Sequence, residues 1–384
     1  MFRYKITLVF LLVLLFKSAA FYSQMSLSEN TTVSVLTCDK GDELYSIFGH
    51  TAFRIKDDTN SLDVVYNYGM FDFRTENFYL KFIKGDLQYF VAAYSFNEFF
   101  YQYNIENRSI YEQELRLSAA QKQQLFDDLN ATLFSDKKYY TYKFIDRNCT
   151  TKVMDDINKM VGQNCVKRTT DLDKTYREIL YPYVENHFYE NLGINIIFGK
   201  KVDQLGEKLF LPKELMESLK KAKLDNILLA KKSKILFDAK KTPTPISLWN
   251  NFYAFSAIFM VLLASRKKWI YLSLLGIFGI MGIFLSLVGL YSYHEEVAYN
   301  YNVLLFNPIL LLLLYFYWKK KFRWINYLSF ISIVFLGVYS IVLINKPNLM
   351  MFSPMIVSSM LILLYFNNWS NSKLKQKKLL STIK

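Results

Sequence analysis

Residues 144–157 read FIDRNCTTKVMDDI and place Cys149 directly after an asparagine, at the start of a stretch with helical spacing. Asn148 is a favourable N-cap, so the thiol is predicted to lie in the first turn of a helix. The unsatisfied amides and the dipole at that end of a helix favour a thiolate. The segment leaves three roles open for Cys149: a nucleophile, half of a disulfide, or a buried apolar side chain.

The N-terminus bears on this choice, because the compartment decides what a cysteine can do. Residues 1–20 begin with Arg3 and Lys5, continue with the apolar run ITLVFLLVLLF, and end with small residues, Ser18 and Ala20, at the positions before a cleavage site. This order is typical of a secretory signal peptide. An uncleaved N-terminal anchor is the alternative, and in either case the chain that follows is predicted to be exported.

From about residue 247 onward the composition changes sharply, and each of five apolar segments approaches the ~20 residues that a helix needs to cross the hydrocarbon core. The segments are 247–265, 269–291, 303–318, 324–344 and 349–366. The loops that would face the cytoplasm, together with the basic tail 367–384, hold twelve Lys or Arg, whereas the other two loops hold one. The positive-inside rule therefore predicts five transmembrane helices within 247–366 and a cytoplasmic C-terminus, with residues 21–246 and the loop 291–302 on the outer face.

The formal net charge of +14 is largely explained without nucleic acid. Twelve of the positive charges serve as orientation signals, and another twelve lysines lie between Lys200 and Lys241 against six acidic residues. Residues 200–246 are predicted to form a basic helical linker whose cationic face rests on anionic headgroups at the membrane surface. A solvated linker helix without lipid contact is the alternative.

The exported part up to residue 199 is long enough for one well-packed domain and is rich in aromatic and β-branched residues. Its pattern predicts a mixed α+β fold. The predicted strands are 32–37, 50–56, 63–68, 87–94, 109–117 and 139–145. A helix is predicted over 118–131, with a capping box formed by Ser118 and Gln121, and a second one begins at Cys149.

The cysteines number three, Cys38, Cys149 and Cys165, an odd number for an exported domain. Cys38 and Cys165 are a permissible disulfide pair that would leave Cys149 free, but spacing alone does not fix the connectivity. A metal site is not predicted, because the chain has no CxxC, no HExxH and only three histidines. No cofactor is predicted.

A nucleophilic Cys149 needs a base, and the exported part offers His50 and His187. His50 follows a glycine at the start of an alternating strand, where the imidazole can be held rigidly. His187 is predicted to lie at a polar, exposed helix end. The pair Cys149 and His50 is therefore the candidate catalytic pair, and a purely structural role for both is the alternative.

A histidine that opens a strand, a following strand DVVYNYGMF, and a cysteine that opens a later helix together resemble the circularly permuted relatives of the NlpC/P60 cysteine-hydrolase fold, which include the lecithin:retinol acyltransferase group. The resemblance implies a third polar group on the strand after the histidine, and that position falls on or near Asn67. Its role would be to orient the imidazole of His50.

Nearly the whole chain is similar to the Lnb-type bacterial lipoprotein N-acyltransferases. The similar segments are VSVLTCDKGDELYSIFGHTAFRI, VVYNYGMFDF, NFYLKFIKGDLQY, DRNCTTKVMDDI, GINIIFGKKVD and HEEVAYNYNVLLFNP. Arg147 and Lys152, which flank the cysteine, depart from the family pattern. The resemblance implies an enzyme of the bacterial inner membrane with its catalytic domain in the periplasm. It implies a ping-pong transfer of an acyl chain from a glycerophospholipid donor through a cysteine thioester to the N-terminal amine of a diacylglyceryl lipoprotein acceptor.

The outer loop YSYHEEVAYNYN and the residues after it supply candidate substrate contacts: His294, Glu295, Asn302 and Asn307. Asn307 lies inside a predicted span, where a polar side chain is costly enough to indicate packing or substrate contact. A solvated loop with an interfacial belt of tyrosines is the alternative.

Three functional classes remain open from the sequence. The first is the lipoprotein acyltransferase, and the second is a phospholipid acyl hydrolase or cell-wall peptidase of the same cysteine fold. The third is a membrane module without catalysis, in which Cys149 is buried or disulfide-bonded. The residues around Cys149 separate the third class from the others, and an assay with substrate separates the first two.

Overall fold

A computed structural model describes residues 25–240 and 247–382. The predicted signal peptide over 1–20 lies outside the described residues. The described chain forms a mixed α/β N-terminal domain followed by a helical C-terminal region.

The N-terminal domain is built on a seven-stranded sheet in which every neighbouring pair is antiparallel, with the order β6-β4-β3-β2-β1-β5-β9. The strands of the chain are β1 Thr32–Cys38, β2 His50–Asp57, β3 Leu62–Met70, β4 Gln88–Ser95, β5 Ile110–Glu114, β6 Tyr139–Thr141, β7 Lys223–Leu224, β8 Ile227–Leu228 and β9 Lys234–Phe237. β7 and β8 form a separate hairpin. All of the predicted strands are present, although the last two end earlier than predicted, at Glu114 and Thr141.

Seven helices surround this sheet: α1 Phe78–Lys84, α2 Phe96–Ile105, α3 Ala119–Leu133, α4 Cys149–Val161, α5 Tyr176–Leu180, α6 Phe188–Ile197 and α7 Pro212–Leu219. The predicted capping box at Ser118 is present, because its side chain accepts from the Gln121 amide while the Gln121 side chain accepts from the Ser118 amide. The helix predicted to begin at Cys149 is α4, which packs against β2 and β3.

Residues 200–240 differ from the predicted helical linker. They contain one α-helix, α7, whose Leu215 and Leu219 are buried in the core of the N-terminal domain, and β9, which pairs with β5 at the sheet edge. Lysine-rich segments suit exposed sheet edges, because charged side chains discourage pairing with another chain. The domain therefore extends to at least residue 240 instead of ending at 199.

The C-terminal region contains α8 Phe252–Ala264, α9 Lys268–Tyr291, α10 Ile309–Trp318, α11 Phe322–Leu343 and α12 Leu349–Thr382. Three of these described helices, α9, α11 and α12, are long and apolar enough to cross a membrane. The turns of residues 295–304 and α10 give a fourth candidate if this bent pair counts as one span, whereas α8 has 13 residues. The structure therefore supports three or four of the five predicted spans by length, and α12 continues as a helix through most of the predicted tail.

Candidate active site

Asn148 fixes the start of α4 and the position of the thiol that follows it. Its side-chain oxygen accepts from the Thr151 amide (3.0 Å), and its side-chain nitrogen donates to the carbonyls of Phe144 and Phe210 (2.8 Å each). A buried amide with this many partners does not rotate freely. Cys149 is therefore the first residue of α4 and is held in one position relative to the sheet.

Cys149 is half-buried and lies beside the start of β2. Burial raises the pKa of the thiol. The charge and hydrogen bonding of His50, the backbone N–H of Thr51 and the hydroxyl of Thr150 lower that pKa by a larger amount, so the net shift is downward. The Thr150 hydroxyl lies 3.9 Å from the sulfur and 3.3 Å from the Thr51 hydroxyl. This environment favours the thiolate, which is the nucleophilic form.

His50 opens β2, and Asn67 lies on the neighbouring strand β3. Asn67 Oδ1 is 3.1 Å from His50 Nε2, and Asn67 Nδ2 donates to the Val65 carbonyl at 3.2 Å. The second bond fixes the amide so that its oxygen faces the ring, and an oxygen can only accept. We therefore assign the N–H to His50 Nε2, which leaves the lone pair of the ring on Nδ1. The structure brings together the three residues predicted as catalytic.

Sequence reasoning missed Gly69 and Tyr140, which also flank the thiol. Gly69 has a φ of +86° at a bulge of β3, and a Cβ on it would lie 3.6 Å from Cys149 Cβ, 4.0 Å from the Cys149 amide nitrogen and 3.9 Å from the Tyr140 hydroxyl. The Tyr140 hydroxyl is buried and has no hydrogen-bond partner of normal geometry among the described residues. Burial raises its pKa, the nearby Cys149 thiol raises it further, and the backbone N–H of Gly69 lowers it; the net shift is upward, so the phenol stays protonated as a donor.

The two other cysteines are poor nucleophiles. Burial raises the pKa of both Cys38 and Cys165, and Cys38 lies in the core between β2 and β5. All three cysteines of the chain lie in its described part, and all three are free thiols, so the permissible bridge between Cys38 and Cys165 is not formed.

His187 differs from its predicted position on an exposed helix end. It is half-buried at the start of α6, where the next residue, Phe188, packs against Phe252 and Phe255 of α8. Its neighbour Phe188 therefore contacts the helical region, and His187 is not among the main groups that shift the pKa of Cys149.

The loop after α9 binds the N-terminal domain close to Cys149. Its buried Glu296 accepts a hydrogen bond from the Ile145 amide (3.2 Å), four residues before the nucleophile, and its backbone carbonyl accepts from the Gly199 amide (2.7 Å). Glu295 forms a salt bridge of 2.8 Å with Lys201, which also pairs with Asp146 at 2.6 Å. The segment that carries Cys149 is therefore held by a loop of the helical region.

The four residues predicted as substrate contacts all have partners within the chain. His294 Nε2 bonds the Phe82 carbonyl at 2.9 Å, and Glu295 makes the pair described above. Asn302 has no exposed surface, and it donates to the carbonyls of Asn195 and Ile196 and accepts from the Tyr339 hydroxyl. Both polar atoms of its side chain are used within the chain, so Asn302 holds the loop on α6, and its role as a substrate contact stays a prediction.

Asn307 differs from the other three. Its Oδ1 accepts from the Ile309 amide at 3.0 Å at the start of α10, while its buried Nδ2 has no partner among the described residues. A buried, unpaired donor is costly, so this nitrogen remains a candidate for a substrate contact.

Arg147 and Lys152 put positive charge around the nucleophile. The Arg147 guanidinium lies 5.4 Å from the ring of Tyr140, and the Lys152 ammonium lies 5.2 Å from the ring of Tyr68. Arg147 is exposed, and neither residue makes an ion pair within residues 25–240 and 247–382. Two cations are therefore available to an anionic group that approaches Cys149. Within those same residues, no group of three or more potential metal ligands comes together.

Comparison with known protein families agrees with this arrangement of a sheet domain and a helical region. The Lnb N-terminal periplasmic domain matches residues 17–181, and the Lnb transmembrane domain matches residues 238–378. No curated protein and no solved structure matches the chain. Since the two matches follow each other along the chain and together cover most of it, the chain belongs to the Lnb family and is a membrane protein with an N-terminal periplasmic domain.

Proposed function

We propose that the protein is a lipoprotein N-acyltransferase that uses Cys149 as its nucleophile. The observation that carries the proposal is a half-buried thiol with a lowered pKa, next to a histidine that an asparagine orients, in a domain bound to a membrane region. The order of His50, Asn67 and Cys149 along the chain supports a permuted NlpC/P60-like relationship. The family membership supports lipoproteins as the acceptor class.

The first half of the reaction loads the enzyme. His50 Nδ1 takes the thiol proton, Cys149 Sγ attacks the carbonyl carbon of a glycerophospholipid ester, and a tetrahedral intermediate forms. As that intermediate collapses, the C–O bond breaks and His50 returns the proton to the leaving glycerol oxygen. The products are a thioester on Cys149 and a lysophospholipid.

The second half transfers the acyl chain. The α-amine of the N-terminal diacylglyceryl-cysteine of a lipoprotein attacks the thioester, His50 accepts the amine proton, and the C–S bond breaks as the amide forms. Asn67 keeps Nδ1 of the imidazole directed at the reacting atoms in both halves.

The negative charge on the tetrahedral carbonyl oxygen needs donors close to the thiol. The Cys149 amide and the buried Tyr140 hydroxyl both border the space that Gly69 leaves open. We assign these two groups as the oxyanion donors. Arg147 and Lys152 are suited to the phosphate of the donor lipid, because both lie close to the rings that flank Cys149 and neither forms an ion pair within the described part of the chain, although Asp155 and Asp156 lie close enough to feel the Lys152 charge.

Both substrates are anchored in lipid, which supports a catalytic domain held against a bilayer. The loops after α9 and α11 contact the N-terminal domain, through Glu296 and through the Tyr181 hydroxyl bonded to the Pro347 carbonyl. The proposed setting is the periplasmic face of the bacterial inner membrane, with the C-terminus in the cytoplasm. The basic loops and tail at the other ends of the helices support this orientation.

The decisive experiment separates loading from transfer. Purified protein is incubated with phospholipid alone, and peptides are then analysed by mass spectrometry. We expect an acyl group on Cys149 that hydroxylamine removes, and its transfer to the amine when a diacylglyceryl-cysteine peptide is added.

Cys149→Ser should abolish both signals, and Cys165→Ser, the matched change at another half-buried free thiol, should preserve them. An acyl group on a different residue would refute the mechanism. Loading that ends only in free fatty acid, even with the acceptor present, would show a hydrolase of the same fold instead.

A further inference from the structure

A group of exposed apolar side chains lies on and before helix α1. Phe73, Tyr79, Leu80 and Phe82, here called the α1 surface, are all mostly exposed or nearly half exposed. The ring of the buried Phe78 supports them, at 4.9 Å from Phe73, 5.4 Å from Tyr79 and 6.4 Å from Phe82. A contiguous apolar patch of this kind on a folded domain marks a contact with a protein or a membrane.

The position of α1 is fixed by the end of a membrane helix. Three residues that follow α9 bond carbonyl groups of the last turn of α1. The bonds run from Ser292 Oγ to Ile83 (2.8 Å), from the Tyr293 amide to Lys84 (2.7 Å) and from His294 Nε2 to Phe82 (2.9 Å). Gly85 ends α1 at a φ of +77°, and a Cβ there would lie 2.9 Å from the His294 ring. The close fit holds α1 at the level where α9 leaves the hydrocarbon.

The chemistry of the surroundings favours lipid as the occupant of the α1 surface. Leu287 and Leu290, on the last turns of α9, are exposed and continue the apolar character up to the residues that bind α1. Aromatic side chains are enriched at membrane–water interfaces, and Lys81 in the last turn of α1 suits a lipid phosphate, whereas Lys84 of the same turn is paired with Asp86. A short helix with this composition beside a span is typical of one that lies in the interface.

Aromatic residues connect the α1 surface with the nucleophile. Phe71 lies 5.0 Å from Phe73 and 5.3 Å from Tyr89, ring to ring. Tyr89 stacks on Tyr142 at 4.2 Å and pairs on β4 with Tyr140 of β6. The Tyr140 hydroxyl borders the same Gly69 space as Cys149, and Phe71, Tyr142 and Cys149 pack against one core cluster. A run of packed aromatic side chains, in which Tyr89 and Tyr140 are buried, therefore extends from α1 to the thiol.

We propose that the α1 surface inserts into the leaflet on the side of the N-terminal domain and passes an acyl chain of a bilayer phospholipid to Cys149. The insertion depends only on the geometry of α1 and α9. The delivery of the chain rests on the function proposed above. An amphipathic entry of this kind lets the ester reach the thiol while the lipid tail stays in an apolar environment.

The test places a photoreactive benzoylphenylalanine at Leu80 in the full chain, in proteoliposomes of phosphatidylethanolamine and phosphatidylglycerol. The matched control is Ile227, which is 63 % exposed against 67 % for Leu80. Ile227 lies in the β7–β8 hairpin, near Leu115. The Leu115 amide bonds the Val33 carbonyl at the end of β1 that lies away from His50, so Ile227 is at the opposite end of the sheet from the candidate site. Leu290 is the positive control. Mass spectrometry identifies the cross-linked partner.

We expect phospholipid adducts at positions 80 and 290 and at least a tenfold lower yield at 227. Adducts at 290 without adducts at 80 would overturn the insertion, as would equal yields at 80 and 227 or cross-linking of position 80 to a second copy of the chain. The readout needs no turnover, so it stands apart from the acyltransferase assay.

Delivery is tested by Leu80→Asp against Ile227→Asp, each assayed for loading of Cys149 from the same vesicles. We expect a fall of at least tenfold for the first variant only, with loading restored when a short-chain, water-soluble phospholipid replaces the vesicles. An unchanged rate for Leu80→Asp would overturn the delivery role, whereas loss of loading in the unmodified chain would count against the proposed function itself.

Discussion

Gly69→Ala tests the assignment of the oxyanion donors most directly. The new methyl group would lie 3.6 to 4.0 Å from Cys149 and the Tyr140 hydroxyl, which are ordinary contact distances, so no clash is expected. It would nevertheless take space that borders both donors, and displacing the substrate oxygen from one donor costs on the order of 10²–10³ in kcat. The positive φ adds a backbone penalty of about 1–2 kcal/mol to the free energy of folding.

Gly162→Ala separates these two effects. Gly162 ends the same helix that Cys149 begins, has a φ of +73°, and has no heavy atom within 4 Å of the position of an added Cβ. Both variants should therefore lose a similar amount of stability in thermal unfolding, while only Gly69→Ala should lose the rate of thioester formation, measured with saturating phospholipid. Equal rates in the two variants, or a Gly69→Ala rate within a few-fold of the unmodified protein, would refute the position of the oxyanion.

Three further results are expected. The alkylation rate of Cys149 should rise with pH at a midpoint below the ordinary range of thiols, because His50 lowers the thiol pKa by more than burial raises it. In His50→Ala the midpoint should move upward. Iodoacetamide labelling over a pH series measures the midpoint, and an unmoved midpoint would exclude His50 as the partner of the thiol. Glu296→Ala should lower activity and destabilise the contact of the loop after α9 by about 1–3 kcal/mol, because the buried Ile145 amide loses its acceptor. Glu296→Gln should retain most of the activity and most of the stability. Reporter fusions should be active outside the cytoplasm at residue 296 and inside it at residue 384, and the reverse pattern would contradict the common compartment of the loop and the thiol.

Cys149 and His50 could be predicted because each has a local signal in the sequence, whereas the position of Asn67 was implied by the family resemblance. Asn148 before Cys149 marks a helix start, and His50 after Gly49 marks the start of a strand, so the pattern places both side chains at element ends. Strand β3, which pairs antiparallel with β2, then places Asn67 next to His50. Local capping and strand periodicity are short-range effects, and a single sequence reveals them.

Other features depend on contacts between distant segments and have weak local signals. β9 is four residues long and becomes a strand only through pairing with β5, so the lysines in and around it suggested a membrane linker instead. Tyr140 is one of several tyrosines in its segment, and nothing local distinguishes it from its neighbours. Only the fold shows that its hydroxyl lies beside the space at Gly69 and Cys149, without a hydrogen-bond partner of normal geometry in the described part of the chain.

The loop after α9 shows why the N-terminal domain and the helical region depend on each other. Glu296 is buried against the backbone just before Cys149, and Arg177 of the N-terminal domain pairs with Asp203 (2.7 Å) while bonding the Tyr301 hydroxyl (3.1 Å) of the loop. Burying a charged group costs desolvation free energy, and hydrogen-bond and ion-pair partners in both parts of the chain offset that cost. Because Glu296 of the helical region bonds the backbone four residues before Cys149, the acyl transfer that we propose should require both parts of the chain to be folded together.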